Sequence, residues 1–461
     1  MSKKVTLIMT CYNKEQYIDV MLASVYGQLH DDIELICVDD GSTDGTRAKL
    51  DAWQPMMEER GYSMVIVSKE NGGAPSAINA GLSILTGDYV CFPDADDIMM
   101  PGYASEMIAY LEAKPSLQWV KCDAFKHDNS EVRIPVIYSE VTNLRMSNNS
   151  RYLFERCLAH RIFWPVWSLM IRTDFFRKCI PNMRIEDSMP GAAAQTLQIL
   201  LPLAFRENYE ILHKPLYFHV ERDDGAFRKR TYASYTQAIA YEEAKYDIAK
   251  RVIKKLSVGE DKVAKWYAII DTTLGMTRVS YADRNKETKL KTELIHEQLK
   301  RIHPVFGNCF KMQEDILDDF PIWHFTQIAL DRLIYTQEEL QAHITLDEKM
   351  QNSRIFLYGA GAACRMLLPL LILAGMKPEC IWDKNASATQ SDIYGVPVLP
   401  PRFNQLTTEE KETSIVIISI SKTEYVKEAE NFLKESGFTQ VLHDIALQDL
   451  CSYIAANQKE D

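Results

Sequence analysis

Asp94-Ala95-Asp96 is the part of the sequence best suited to chemistry. Two carboxylates one residue apart, at the end of an apolar run, can share one divalent cation. They leave coordination positions open for phosphate oxygens, the ligands that Mg²⁺ and Mn²⁺ favour. A third carboxylate, Asp97, follows directly. Carboxylates crowded at a sheet end repel one another unless a positive charge compensates. By itself the triplet also describes a solvated acidic turn, so its position must decide. A second acidic pair, Asp39-Asp40, closes another apolar run and leads into Gly41-Ser42-Thr43-Asp44. Carboxylates there can accept from a nucleobase N–H or a ribose hydroxyl, whereas Ser42, Thr43 and Asp44 are types that cap helices. A third pair, Glu186-Asp187, lies far downstream. A carboxylate there can act as general base toward a hydroxyl, and an exposed acidic pair would read the same way.

These residues need elements to hold them. Residues 5–9, 33–38, 64–67 and 89–92 are short apolar runs that read as buried strands. Residues 15–28, 46–60 and 76–85 carry apolar positions at helical spacing. Strands separated by helices of that length predict parallel βαβ units, whose ligands sit at the carboxyl ends of the strands. Both acidic clusters of the first hundred residues fall at such ends. Residues 103–225 are mixed, with a strand expected at 118–122. Long helices are expected at 235–255, 261–281 and 286–301, where Gly and Pro are scarce. A new alternating pattern begins near 353, with strands at 354–358, 379–382 and 414–420 and an apolar helix at 363–374. The expectation is an α/β fold in three segments: 1–227, a helical accessory region at 228–350, and a small α/β domain at 351–461.

Bulk properties narrow the class. A chain of 461 residues with 46% hydrophobic and 25% charged residues is ordinary globular material. A net charge of -12 disfavours gripping a nucleic-acid backbone. It permits nucleotide binding through a bridging metal. The ten cysteines form no CxxC pair, which points away from zinc and toward reduced, buried thiols. No signal-peptide core follows Met1. The apolar stretches at 197–205 and 367–376 fall short of the ~20 residues a membrane-spanning helix needs. A cytoplasmic protein is expected, soluble or resting on the inner face of a membrane. Arg228, Lys229, Arg230, Lys250, Arg251, Lys254 and Lys255 suit either an anionic lipid surface or the solvated side of helices.

Four ordered blocks resemble the family 2 glycosyltransferases, which have the GT-A fold. They are Val5-Thr-Leu-Ile-Met-Thr10-Cys-Tyr12-Asn13, Val38-Asp39-Asp40-Gly41-Ser42-Thr43-Asp44, Asn71-Gly-Gly-Ala-Pro-Ser-Ala-Ile-Asn79-Ala-Gly81 and Gly87-Asp-Tyr-Val-Cys-Phe-Pro-Asp94-Ala-Asp96-Asp97. Glu186-Asp187 falls where the family has its Glu-Asp pair, and the resemblance covers roughly residues 1–225. It implies that Asp40 recognises the nucleobase with Asp39 nearby, and that Thr10, Tyr12, Asn13, Asn79 and Asp94 belong to the nucleotide site. It further implies that Asp94 and Asp96 are the metal motif, with Asp96 the better ligand for Mn²⁺ or Mg²⁺, and that Asp187 is the catalytic base. Glu186, His219 and Arg222 are weaker candidates; Asn79 can equally serve to anchor a helix. The implied reaction is a single inverting displacement on a nucleoside-diphosphate sugar, UDP by the same resemblance. The acceptor is a glycan or a lipid-linked hydroxyl in surface polysaccharide synthesis. The Gln-x-x-Arg-Trp motif of processive members is missing after Asp187, which favours addition of one sugar at a time. Oligomerisation through the helical region is an open expectation.

The last segment begins Leu357-Tyr-Gly359-Ala-Gly361-Ala-Ala-Cys364, with Asp383 further on. This is part of a dinucleotide fingerprint, with Cys364 where the third glycine would stand. It resembles the small Rossmann-type domains that accompany sugar-transferring enzymes, and it raises a nucleotide or NAD(P) as a second ligand. An NAD(P)-dependent nucleotide-sugar-modifying enzyme is therefore the alternative, although residues 351–461 hold no Tyr-x-x-x-Lys pair. A non-catalytic scaffold with a degenerate transferase domain is the other. The presence of Asp40, Asp94, Asp96 and Asp187 together speaks against that.

Overall fold

The computed structural model describes residues 3–127, 152–159, 165–186, 192–206, 208–220, 234–306, 321–342, 349–386, 391–420, 423–442 and 447–457. It divides into two units, Met1–Tyr267 and Ala268–Asp461.

The first unit is built on an eight-stranded sheet of order β3-β2-β1-β4-β7-β6-β8-β5. β1 (Val5–Cys11) and β2 (Ile33–Asp39) are buried nearly end to end, as strands covered on both faces must be. β3 (Ser63–Ser68) flanks β2, and β4 (Tyr89–Cys91) lies on the other side of β1. These four run parallel. The connecting helices are α1 (Ile18–Tyr26), α2 (Thr46–Glu59) and α3 (Ala74–Leu82). α1 starts later than the periodicity suggested because residues 13–17 turn first. The far half of the sheet holds β5 (Ile98–Met99), β6 (Trp119–His127), β7 (Leu169–Arg172) and β8 (Tyr209–Val220). β7 is antiparallel to both β4 and β6, β8 is parallel to β6, and β5 is antiparallel to β8. Helices α4 (Tyr103–Ala113), α5 (Leu153–Leu158), α6 (Thr173–Cys179) and α7 (Ala192–Arg206) complete this half.

A buried polar knot closes the end of the sheet opposite the acidic loops. Glu34 accepts hydrogen bonds from Thr6 Oγ1 (2.5 Å), Thr86 N (2.8 Å) and Thr86 Oγ1 (2.7 Å), and Thr6 Oγ1 in turn accepts from Gly87 N (2.9 Å). A buried carboxylate is tolerated only when it is satisfied in this way. Gly87 is required here because a Cβ would stand 2.6 Å from Thr6 Oγ1, 2.8 Å from Thr6 N and 3.0 Å from Lys4 O. Two of those neighbours are backbone and cannot rotate away. Gly87→Ala is therefore expected to destabilise the first unit by about 1–3 kcal/mol, read as a lower denaturant midpoint at unchanged slope. An unchanged midpoint would show that the chain absorbs the methyl group.

The second unit has a six-stranded sheet of order β11-β12-β10-β9-β13-β14. β9 (Ile355–Tyr358), β10 (Ile381–Trp382), β12 (Val396–Leu399), β13 (Ile415–Ile418) and β14 (Gln440–Leu442) are parallel, and β11 (Ser391–Ile393) is an antiparallel edge. The C-terminal helix Leu447–Asn457 packs on helix Ile322–Ile334, so helices before and after this sheet share one core. The cysteines among the described residues are buried free thiols. No helix among the described residues is long and apolar enough to cross a membrane.

Candidate functional site

Three parallel strands of the first unit end at one level. Cys11 of β1 is paired with Asp39 of β2, and Thr10 forms an isolated parallel bridge with Asp94 beyond β4. The sheet thereby brings Thr10, Tyr12, Asn13, Asp39, Asp40, Asp94 and Asp96 to one edge.

The β1 and β2 loops are laced together. Asn13 adopts a positive φ of 51°, which its short polar side chain tolerates. Its N–H donates to Ser42 Oγ (3.1 Å), and its Oδ1 accepts from Thr43 N (2.8 Å). Asp39 is buried and its Oδ1 accepts from Ser42 N at 3.1 Å. Tyr12 is 47% exposed, which leaves its ring as an open face of the site. Asp40 is buried and accepts from Lys69 Nζ (2.6 Å), Gly72 N (3.0 Å) and Gly73 N (2.8 Å). The sequence offered Asp40 as a nucleobase acceptor; most of its acceptor capacity organises the loop that enters α3. Gly41 permits this closeness, with φ +75° and space so limited that a Cβ would stand 2.8 Å from Asn71 N.

The acidic triplet is divided between partners. Asp97 is buried, and its Oδ1 accepts from Val220 N (2.9 Å) and lies 3.3 Å from His219 Nδ1. Asp96, half-buried, pairs with Lys14 Nζ at 2.6 Å. Asp94 donates its N–H to the Tyr217 hydroxyl at 3.0 Å. Desolvation, followed by the charges of Asp97 and Asp96, pushes the Asp94 carboxyl up to about 8, with His219 and Lys14 pulling the other way. Burial lowers the His219 pKa, but the Asp97 hydrogen bond and the three nearby carboxylates outweigh it and raise the net value. Such hard oxygen donors, short of positive charge, fit a divalent cation. Among the described residues no group of three or more His, Cys, Asp or Glu side chains converges as a ready cage.

An aromatic stack backs this cluster. Trp167 lies 4.4 Å from the Tyr217 ring and 5.4 Å from the His219 ring, with interplanar angles of 12° and 16°. Tyr103 Oη donates to Trp167 O at 2.8 Å and so holds the stack from beneath. Sequence reasoning singled out His219 but not Lys14, Trp167, Tyr217 or Lys69. Lys14 carried a signal, since it follows Asn13 in the first block. The aromatics carried none, because a core Trp and a core Tyr look the same in sequence.

Both polar atoms of the Asn79 amide are engaged away from the acidic triplet's own hydrogen bonds. The amide bonds the backbone of Ile185, with Nδ2 donating to Ile185 O (2.7 Å) and Oδ1 accepting from Ile185 N (2.8 Å). Glu186 follows. Its carboxylate meets Lys255 Nζ at 2.7 Å and Arg251 at 3.6 Å, and the Lys255 hydrogen bond holds its pKa below the usual range. Asp187 and Arg222 lie outside the described residues.

In the second unit Gly359 has φ +105°, and a Cβ there would stand 2.8 Å from Ile420 Cγ1. Gly361 opens helix Ala362–Leu373, and Cys364 is buried against the sheet. Asp383 turns its carboxylate onto its own loops, accepting from Ala360 N and Asn385 N, both at 2.8 Å.

Residues 6–176 match the sequence profile of glycosyl transferase family 2. An uncharacterized glycosyltransferase of Haemophilus influenzae is 35% identical over 108 residues, 23% of this chain and 32% of the relative. The minor teichoic acid biosynthesis protein GgaB of Bacillus subtilis is 24% identical over 234 residues, 49% of this chain and 24% of its own length. The chain thus spans about a third or less of these relatives. The crystal structure of S. aureus TarS 1–349 in complex with UDP-GlcNAc is similar at a TM-score of 0.45 and 16% identity, over 74% of this chain and 93% of that one. Residues 6–176, which carry the strands and the acidic loops of the site, thus form a domain that matches glycosyl transferase family 2.

Proposed function

We propose that the chain transfers one sugar at a time from a nucleoside-diphosphate sugar, with UDP as the carrier, to an acceptor hydroxyl with inversion. The reading rests on one observation above all: β1, β2 and β4 end together and bring Asp39, Asp40, Asp94 and Asp96 to one sheet edge. The nucleoside lies over the β1 and β2 loops, against Thr10, Tyr12, Asn13 and Asp39. Asp40 acts there through the loop it holds as well as through its own remaining lone pair. Asp96 and Asp94 would hold Mn²⁺ or Mg²⁺, which supplies Lewis-acid stabilisation to the departing diphosphate when bound. Asp187 takes the proton of the acceptor hydroxyl as that oxygen attacks the anomeric carbon, and the nucleoside diphosphate leaves from the opposite face. The named role of GgaB in teichoic acid synthesis supports a surface glycan as acceptor. The Asp383 carboxylate, which the oxidoreductase reading needs for ribose, accepts from Ala360 N and Asn385 N in its own loops, and this weighs against that reading.

Calorimetric titration of the whole chain with UDP, GDP, CDP and dTDP, with and without Mn²⁺, tests this. One diphosphate is expected to bind in the micromolar range and only with metal. Failure of all four under both conditions would overturn the assignment.

A further inference from the structure

Residues 184–186 belong to no helix or strand, yet the backbone of two of them is held at four points. Asn79 matches both polar groups of Ile185, at 2.7 and 2.8 Å. Gln198, buried on α7, matches both polar groups of Glu186: its Oε1 accepts from Glu186 N at 2.5 Å and its Nε2 donates to Glu186 O at 3.0 Å. A side-chain amide bonded in both directions to one residue does what a neighbouring strand does in an antiparallel pair. Two such amides on consecutive residues fix position and direction together. The Glu186 carboxylate adds a third anchor, to Lys255 on helix Tyr235–Lys255.

The helix that carries Asn79 also touches the other end of the site. α3 follows Gly72 and Gly73, whose N–H groups are held by Asp40. One rigid element therefore references both the β2 loop and the segment that leads into Asp187. We propose that Asn79 and Gln198 are positioning residues for the catalytic base: their amides fix the backbone of Ile185 and Glu186, the two residues that precede Asp187 in the chain, and α3 ties that backbone to the nucleotide loops. This rests on the transferase reading above and deepens it. A base misplaced by about 1 Å loses on the order of 100-fold in rate, which is the effect such a clamp prevents.

The test uses Asn79→Ala, Gln198→Ala and Asn79→Asp, the last keeping the accepted bond and losing the donated one. Both alanine variants are expected to lower kcat by about 10- to 100-fold, with donor KM and calorimetric diphosphate affinity within about twofold of wild type, and Asn79→Asp to fall between. Hydrogen exchange of the peptide covering residues 185–187 is expected to be about fivefold faster or more in both alanine variants. An active wild type with unchanged kcat in the variants would overturn the clamp and leave the transferase reading standing. Unchanged exchange would overturn it as well, and needs no turnover to be read. Joint loss of kcat, donor affinity and Tm would overturn it in favour of a role in folding alone. A wild type that moves no sugar would count against the transferase reading, while exchange still decides the clamp.

Discussion

Asp187→Asn is expected to lower kcat by about 10²- to 10⁴-fold while donor affinity stays within about twofold. The variant keeps the size and hydrogen-bonding reach of the side chain and removes its capacity to take a proton. If Asp187 is the base, the loss falls on the chemical step. The rising limb of kcat/KM with pH, which reports ionisation of the base, disappears with it. Glu186→Gln is the control. Lys255 holds that carboxylate below the usual range, which makes it a weak base and places it in structural work. Initial rates of both variants across pH decide the matter. A large loss in Glu186→Gln with little in Asp187→Asn would exchange the two roles.

Asp96→Ala is expected to lower diphosphate affinity in the presence of Mn²⁺ by more than about 100-fold, to the level seen without metal. The three carboxylates are not equivalent. Asp97 faces inward to Val220 N and His219, and so belongs to the aromatic stack behind the site. Asp94 is partly buried, and its backbone is fixed by Tyr217. Asp96 is the one whose partner is a flexible ammonium on a neighbouring loop. Calorimetry on Asp96→Ala and Asp97→Ala separates them. Metal-dependent binding that survives the first and vanishes in the second would move the ligand role to Asp97.

The parallel half of the first sheet was legible because β1 and β2 are short, mostly apolar runs and the helices between them keep their periodicity. The other half was not. β8 carries His213, Lys214 and Pro215 in mid-strand, and its register against β6 shifts at Cys122/Asp123 and again at Asp123/Ala124, so no alternation survives to be read. α5 and α6 are short, with too few turns to show a period. The site divides in the same way. Residue types announced the acidic loops and their likeness to a family. What each side chain binds depends on contacts distant in sequence, such as Asn79 with Ile185 and Asp97 with Val220, and no local pattern encodes those. The Asp40 carboxylate shows the difference: its type suggested a ligand contact, and its hydrogen bonds make it a keystone of the loop at residues 69–73.

The Lys14–Asp96 pair changes what binding would mean at this edge. The carboxylate already has a counter-ion, so a divalent cation bound there would have to displace an ammonium. Apparent affinity for the cation is then a ratio of two affinities and is lower than the carboxylate alone would give. The displaced charge does not leave. It stays tethered by a four-carbon stem to the residue after Asn13, where a compact, mobile ammonium can swing onto phosphate oxygens. On the proposed reading, Lys14, released from Asp96, would meet the diphosphate as a second cation held ready by the protein.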